Sequence, residues 1–321
     1  METSLASLGP FSVPADNPDI LSQLLENQKS PHTWRAYKKD IRDFFRFVAD
    51  ANEPTPLLVE AFLNLEQPQA LALVLRYKNH LRDVRCLKEA TINRRLAALK
   101  ALVRLANQLG QCRYTLGGIK GEKVSRYRDT TGISQTVYRQ ILKIPNQKTI
   151  KGKRDYAILR LLWDNALRRN EIVQTNLEDL DLERRSLAIL GKGKGRQKQW
   201  VTLSAATVTA LKAWLAVRPG SKNKIQPLFV ALDRAHLGHR LTGTAIYQLV
   251  RNTAKAAGVT KLLSPHRIRH SGITAALDAT NGDVRKVQKF SRHADLNTLM
   301  IYDDNRRDIQ GEITDLLANL I

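Results

Sequence analysis

Ser264-Pro-His-Arg-Ile-Arg-His-Ser271 decides how the rest of this chain is read. Ser264 is a good N-cap and Pro265 suits the first helical position, so a helix is predicted to start here. His266 and Arg269, three residues apart, then share a face in the first turn, where unbonded backbone N–H groups and the helix dipole favour an anion. An imidazole, a cation and a positive helix end converging on one point suit a phosphate. Tyr302 follows some thirty residues later, and a phosphate held beside a tyrosine suggests phosphoryl transfer to a phenolic oxygen.

Around this stretch the second half of the chain reads as mainly helical with a small sheet. Helices are predicted at 134–143, 151–165, just after Leu167-Arg168-Arg169-Asn170-Glu171, at 205–217, 242–257, 283–290, 296–302 and 308–319. Ser186–Leu190 and Gln199–Leu203 read as two strands flanking Gly191-Lys-Gly-Lys-Gly-Arg196, a hairpin with a cationic, glycine-rich tip. The tip lacks the spacing and the following helix of a nucleotide phosphate loop.

The first half is a separate helical module. Residues 1–17, with Pro10 and Pro14 among small polar residues, read as a flexible tail. Thr33–Phe47 places Trp34, Tyr37, Ile41, Phe44 and Phe45 on one stripe, with Arg35, Lys38, Lys39 and Arg42 opposite. Helices at 57–64 and 69–83 follow, then Thr91–Leu109 with Ile92, Leu96, Leu99, Leu102 and Leu105 inward and Arg94, Arg95 and Lys100 outward. From Arg113 to Gly132 the helical pattern breaks, and Gly117, Gly118 and Gly121 sit among Lys120, Lys123, Arg126 and Arg128, which predicts an extended basic linker. The expected division is therefore tail 1–17, helical module 18–112, linker 113–132 and second domain 133–321, whose last segment, 308–321, is an apolar-faced helix.

The charge balance narrows the function. In 321 residues, 52 Lys and Arg face 30 Asp and Glu, a net charge of +22, which points to a polyanionic partner, most simply nucleic acid. Two cysteines are too few for a disulfide framework. The first residues lack the basic and apolar regions of a signal peptide, and no stretch approaches a membrane span of about 20 apolar residues. A cytoplasmic protein that does not engage membranes is expected.

Each candidate side chain has an ordinary structural reading when taken alone. Arg168 can pair with Glu171, His293 can cap a helix, and Tyr302, after Leu299-Met-Ile301, fits a core aromatic. The ensemble carries more weight. Ala166-Leu-Arg-Arg-Asn-Glu171, Gly191-Lys-Gly193, Ser264–His270 and Ser291-Arg-His293 with Tyr302 nine residues on resemble, in order, the arginine box, hairpin lysine, His-x-x-Arg box and distal His–Tyr of the tyrosine recombinase (phage integrase) family. Thr33–Phe47 and Thr91–Leu99 resemble that family's N-terminal core-binding, SAM-like domain. The resemblance extends from about residue 18 to the end and is closest to simple Xer- or Cre-type members. The departures are Ala166 in place of a common glycine, Arg169 in place of an apolar residue, and Ser291-Arg292 in place of Leu-Gly. Arg169 and Arg292 become candidates for added phosphate or subunit contacts.

The resemblance implies an α+β architecture in which the two domains form a C-clamp on duplex DNA. It implies a catalytic set of Arg168, Lys192, His266, Arg269, His293 and the nucleophile Tyr302, with Glu171 in support and Lys192 preferred to Lys194. Arg35, Lys38, Lys39, Arg94, Arg95, Lys120, Lys123 and Arg126 are the expected DNA contacts. The implied reaction is site-specific strand exchange on paired inverted-repeat core sites through a 3′-phosphotyrosyl link and a Holliday junction. Four subunits are expected to exchange helix 308–321, with accessory factors as further partners. Asp303 and Asp304 have no evident third carboxylate, so neither metal nor cofactor is expected. A type IB topoisomerase and a non-catalytic DNA-binding regulator are the rival readings.

Overall fold

The computed structural model describes residues 19–28, 30–124, 132–191, 197–221, 223–306 and 309–320. The chain divides into two compact units, Met1–Arg126 and Tyr127–Ile321. It is mostly helical with one small sheet, as the sequence predicts. The tail 1–17, Arg126, Arg128, Lys192 and Lys194 fall outside the described residues.

The first unit packs α1 (Ile20–Glu26), α2 (Pro31–Ala49), α3 (Pro56–Leu63), α4 (Gln67–Asn79) and α5 (Glu89–Gln108) around one core. Local chemistry sets the ends: Asp19 and Thr55 cap α1 and α3 by accepting from the Ser22 and Leu58 backbone N–H groups, and proline occupies the first turn of α2, α3 and α4. Ile41, Phe44 and Phe45 of α2 are buried with Phe62, Tyr77, Leu99 and Leu102, and Phe44 meets the Phe62 ring edge-on at 5.0 Å. Trp34 departs from the predicted stripe. It is 37 % exposed, and Lys38 Nζ lies 5.2 Å from its ring centroid. The predicted helix 69–83 ends instead in a π-helical turn, His80–Val84.

Arg95 corrects the sequence reading most sharply. It was expected to face outward toward DNA, but its side chain is 6 % exposed and ion-paired with Asp43, and it donates to Tyr77 Oη at 3.1 Å. Tyr77 and Arg85 also donate to Asp43, at 2.7 and 2.8 Å. Arg94 pairs with Asp40, whose carboxylate is fully buried, while keeping 42 % of its own side chain exposed. Acidic partners on α2 thus draw both arginines against the core, because a buried carboxylate needs a charged donor. Removing Arg95 takes the most buried cation from Asp43, which keeps Tyr77 and Arg85, and opens a gap beside the Tyr77 hydroxyl. Arg95→Ala is expected to lower unfolding free energy by about 2–3 kcal/mol, whereas Lys38→Ala costs less than about 0.5 kcal/mol; urea titration of the full chain reads both, and equal effects would contradict the buried network.

The predicted linker also needs correcting at its start. Cys112, Tyr114, Leu116 and Ile119 are buried in the first unit's core. Tyr114 Oη donates to the Phe62 carbonyl at 2.8 Å, Lys100 Nζ to the Ile119 carbonyl at 2.6 Å, and Asn93 bonds both backbone groups of Glu122. Alternate residues of 112–116 point inward with the period of extended chain, a pattern masked in the sequence by the intervening glycines and basic residues. Lys120 and Lys123 are exposed beside it.

The second unit contains α6 (Gln135–Lys143), α7 (Ile150–Asp164), α8 (Arg169–Gln174), α9 (Ala205–Leu215), α10 (Gly243–Ala256), α11 (Pro265–Ala279), α12 (Val284–Ser291), α13 (Leu296–Arg306) and α14 (Ile309–Ala318). Its antiparallel sheet has the order β1 (Leu180–Asp181), β2 (Ser186–Leu190), β3 (Lys198–Thr202), with Leu187 opposite Val201. The two-residue β1 is too short to leave a periodic signal. Ile158, Leu159, Leu161 and Leu162 of α7 centre the main core with Trp214, Phe229, Ile246 and Val250. The apolar run 228–231 forms a single bridge, Val230 to Arg240, rather than a strand. Gly132 crosses α11 so closely that a Cβ there would lie 2.0 Å from Ser271 Oγ, and Ile133 N–H donates to that hydroxyl at 2.9 Å. Ile313, Leu316 and Leu317 of α14, and Leu320 just after it, are between 51 and 80 % exposed.

Candidate active site

Three chain reversals build the site. The first follows α7. Asn165 ends the helix, Ala166 turns the chain at φ 43°, and Arg168 becomes the N-cap of α8. Glu171, 2 % exposed, folds back so that Oε2 accepts the Arg168 backbone N–H at 2.8 Å and Oε1 accepts Arg168 Nη1 at 2.7 Å. The carboxylate therefore holds both the backbone N–H and one Nη of Arg168.

The second is the start of α11. Ser264 caps it by accepting from the Arg267 N–H at 3.2 Å, and Pro265 occupies the first turn. His266 stays exposed there, whereas Arg269, one turn deeper, is 1 % exposed. Arg269 donates to the Ala166 carbonyl through Nη1 and to the Ser291 carbonyl through Nη2, with His293 Nε2 3.3 Å from Nη2. One guanidinium thus spans the loop after α7 and the loop after α12. Burial, with Arg168 and Arg292 nearby, lowers its pKa to about 9, so it remains charged at neutral pH.

The third reversal follows α12, where Arg292 adopts φ 59° and delivers His293. His293 Nδ1 lies 3.2 Å from Ser291 Oγ. An Nε2 that accepts from Arg269 leaves the proton on Nδ1, facing Ser291. Burial first, then the charges of Arg269, Arg168 and Arg292, push the His293 pKa down to about 4. His293 is neutral at pH 7 in the DNA-free chain.

Tyr302, on α13, is 4 % exposed within a small cluster of Ala166, Ile273, Leu277, Val287 and Leu299. Its ring stacks on His270 at 4.8 Å and lies 5.7 Å from His293. Its hydroxyl is 3.5 Å from His270 Nε2, and His270 in turn meets His266 edge-to-face at 4.2 Å. The structure thus brings Arg168, Arg269, His293 and Tyr302 together, with His266 at the rim. His270 lies within Ser264–Ser271, but its partner Tyr302 is 32 residues further on, so no local signal assigns it a task.

At two of the positions that depart from the family pattern the backbone enters the left-handed region. Ala166 and Arg292 adopt it at φ 43° and 59°, a conformation that costs roughly 1 kcal/mol for a residue with a Cβ and nothing for glycine. Arg292 was a candidate for an outward phosphate or subunit contact. Its side chain is 8 % exposed and ion-paired with Glu171 at 3.1 Å, so it faces into the fold. Arg169 is exposed.

Comparison with known proteins shows the family. The Phage integrase family profile matches residues 132–308, and the profile described as Phage integrase, N-terminal SAM-like domain matches residues 21–109. The chain belongs to the phage integrase family of tyrosine recombinases. Like others of this family it is a site-specific recombinase by class. A tyrosine recombinase of Synechococcus elongatus is 54 % identical over 96 % of this chain and 95 % of its own length. One from Synechocystis sp. is 53 % identical over 97 % and 98 %, and XerC of Syntrophus aciditrophicus 27 % over 87 % and 88 %. The XerH recombinase bound to a palindromic difH substrate shares the fold with a TM-score of 0.67 at 22 % identity, over 93 % of this chain and 84 % of that one. A lambda integrase dimer on a core site gives 0.64 at 14 %, over 90 % and 94 %.

Proposed function

We propose that this tyrosine recombinase cleaves and rejoins duplex DNA at paired inverted-repeat core sites through a 3′-phosphotyrosyl intermediate, without metal or ATP. The observation that carries the reading is the convergence of two buried or half-buried arginines, a neutral histidine and a tyrosine around the Ala166 and Ser291 carbonyls. Attack on a phosphodiester concentrates charge on the non-bridging oxygens, and the prearranged forks of Arg168 and Arg269 match that charge better than lysines. A phosphate beside His293 raises that group's affinity for a proton and turns it into a hydrogen-bond donor. Tyr302 Oη attacks phosphorus, its proton passing to His266 or, by proximity, His270; the bond to the 5′-oxygen breaks, and Lys192 protonates the leaving oxygen. The phosphotyrosyl link retains the energy of the diester, so a partner strand's 5′-hydroxyl can reverse the step and pass through a Holliday junction. At 4 % exposure Tyr302 does not meet a duplex phosphate directly, so DNA engagement draws α13 outward before attack.

The exposed arginine and lysines of α2, Arg35, Lys38 and Lys39, with Arg94, Lys120, Lys123 and Arg126, supply phosphate contacts to the duplex. The uncovered apolar face of α14 supports exchange of residues 308–321 between protomers of a tetramer, since such a face gains from burial. Removing residues 307–321 is expected to abolish site pairing while single-site binding survives; unchanged pairing in ligation or gel assays would overturn the exchange.

The deciding experiment incubates the protein with fragmented genomic DNA of its host in EDTA, stops it with SDS, and recovers DNA joined to protein. A 3′-linked adduct at a reproducible site supports the reading. An adduct only after magnesium is supplied rejects metal independence, and no adduct, even on nicked substrates built from the sites bound, gives precedence to a binding-only role.

A further inference from the structure

We infer that Arg292 is a positioning residue that couples Arg168 and Arg269 into one rigid unit; the inference rests on the recombinase reading above. Arg292 Nη1 donates to the Asn165 carbonyl at 3.0 Å and the Phe290 carbonyl at 2.9 Å, and Nη2 to the Ala166 carbonyl and Glu171 Oε2, both at 3.1 Å. Each Nη carries two N–H groups, so these four acceptors use them all. No Nη proton of Arg292 is left for a DNA phosphate.

Two of its acceptors are shared with the catalytic candidates. The Ala166 carbonyl also takes Arg269 Nη1, and Glu171 Oε2 also takes the Arg168 backbone N–H, while Oε1 of the same carboxylate holds Arg168 Nη1. Arg292 therefore stands behind both arginines at once, touching one through a carbonyl and the other through a carboxylate. The Asn165 side chain extends the same turn to the sheet by donating to the Thr202 carbonyl at 2.7 Å. Thr202 ends β3, which pairs with β2. Glycine would satisfy φ 59° at position 292 without strain. An arginine held there, with its charge taken out of water, fits a backbone accepted for the sake of the fork it carries.

The test uses Arg292→Gly, which suits the backbone, and Arg292→Lys, which keeps the charge but not the fork. In the full-length, DNA-free chain labelled at arginine, heteronuclear NOEs of the Nε–H groups report side-chain order. Arg168 and Arg269 are both expected to be ordered in the native chain and to loosen together in each variant. On a nicked substrate built from the captured sites, single-turnover adduct formation should fall about 10²-fold at saturating DNA, with Kd unchanged and no rescue by lysine. Undiminished order of both arginines, loosening of only one, or loosening without loss of cleavage would each overturn the inference. If the native chain itself forms no adduct, the recombinase reading fails, and the NOE measurement still decides the coupling.

Discussion

Tyr302→Phe is expected to reduce covalent protein–DNA adduct to the limit of detection while leaving folding and DNA affinity intact. The phenyl ring keeps the place that Tyr302 fills among Leu277, Val287 and Leu299 and keeps its stack on His270. What is lost is the hydroxyl, whose 3.5 Å separation from His270 Nε2 is too long to contribute much stability. An ordinary phenol with pKa about 10 is mostly protonated at neutral pH, so the oxygen needs a base and nearby cations to become a nucleophile; phenylalanine leaves nothing to activate. Electrophoretic shifts should agree with the native chain within about twofold, because phosphate affinity comes from the basic side chains. Adduct formation by the variant at the native rate would mean that another residue attacks, and would reduce Tyr302 to the core aromatic that its burial alone allows.

Some of this site was legible before any coordinates, and the reason is physical. Ser264 and Pro265 act on backbone groups within one turn, so their consequences can be read locally; so can the Arg168–Glu171 pair, three residues apart. The failures share the opposite property. Arg95 looks like any basic residue on the outer face of α5 until Asp43, 52 positions earlier, is seen beneath it. Arg292 reads as surplus positive charge, because all the groups that absorb it except the Phe290 carbonyl lie 121 to 127 residues away. Tyr114, Leu116 and Ile119 belong to a core whose other walls are helices completed earlier in the chain. Local signals therefore located the helices and the boxes, while the assignment of each charge to surface or interior depended on distant partners.

Arg269→Lys should be nearly as damaging as loss of the nucleophile, although it preserves charge by formula. The guanidinium reaches the Ala166 carbonyl from one nitrogen and the Ser291 carbonyl and His293 from the other. A lysine ammonium is a single point that cannot span both carbonyls and still direct an N–H at a phosphate. At 1 % exposure, an abandoned carbonyl costs about 1–3 kcal/mol, so a lower thermal midpoint is expected alongside the catalytic loss. Removing one preorganised donor to the transition state costs about 10²–10³-fold, and adduct formation at saturating DNA should fall at least that far. The pH response distinguishes this from general damage. Burial, together with the positive charges of Arg168 and Arg292 that already depress Arg269, would lower the lysine's pKa more severely, because an ammonium loses its proton more readily than a guanidinium. The variant's site then loses its charge as pH rises through that depressed value and regains it as pH falls. Its residual activity relative to the native chain should accordingly increase toward acid pH, measured in single turnovers between pH 6 and 9 on the same nicked substrate. A constant ratio across that range would show that the lysine stays charged, leaving the lost fork as the whole cause; native-like cleavage would remove Arg269 from the catalytic set.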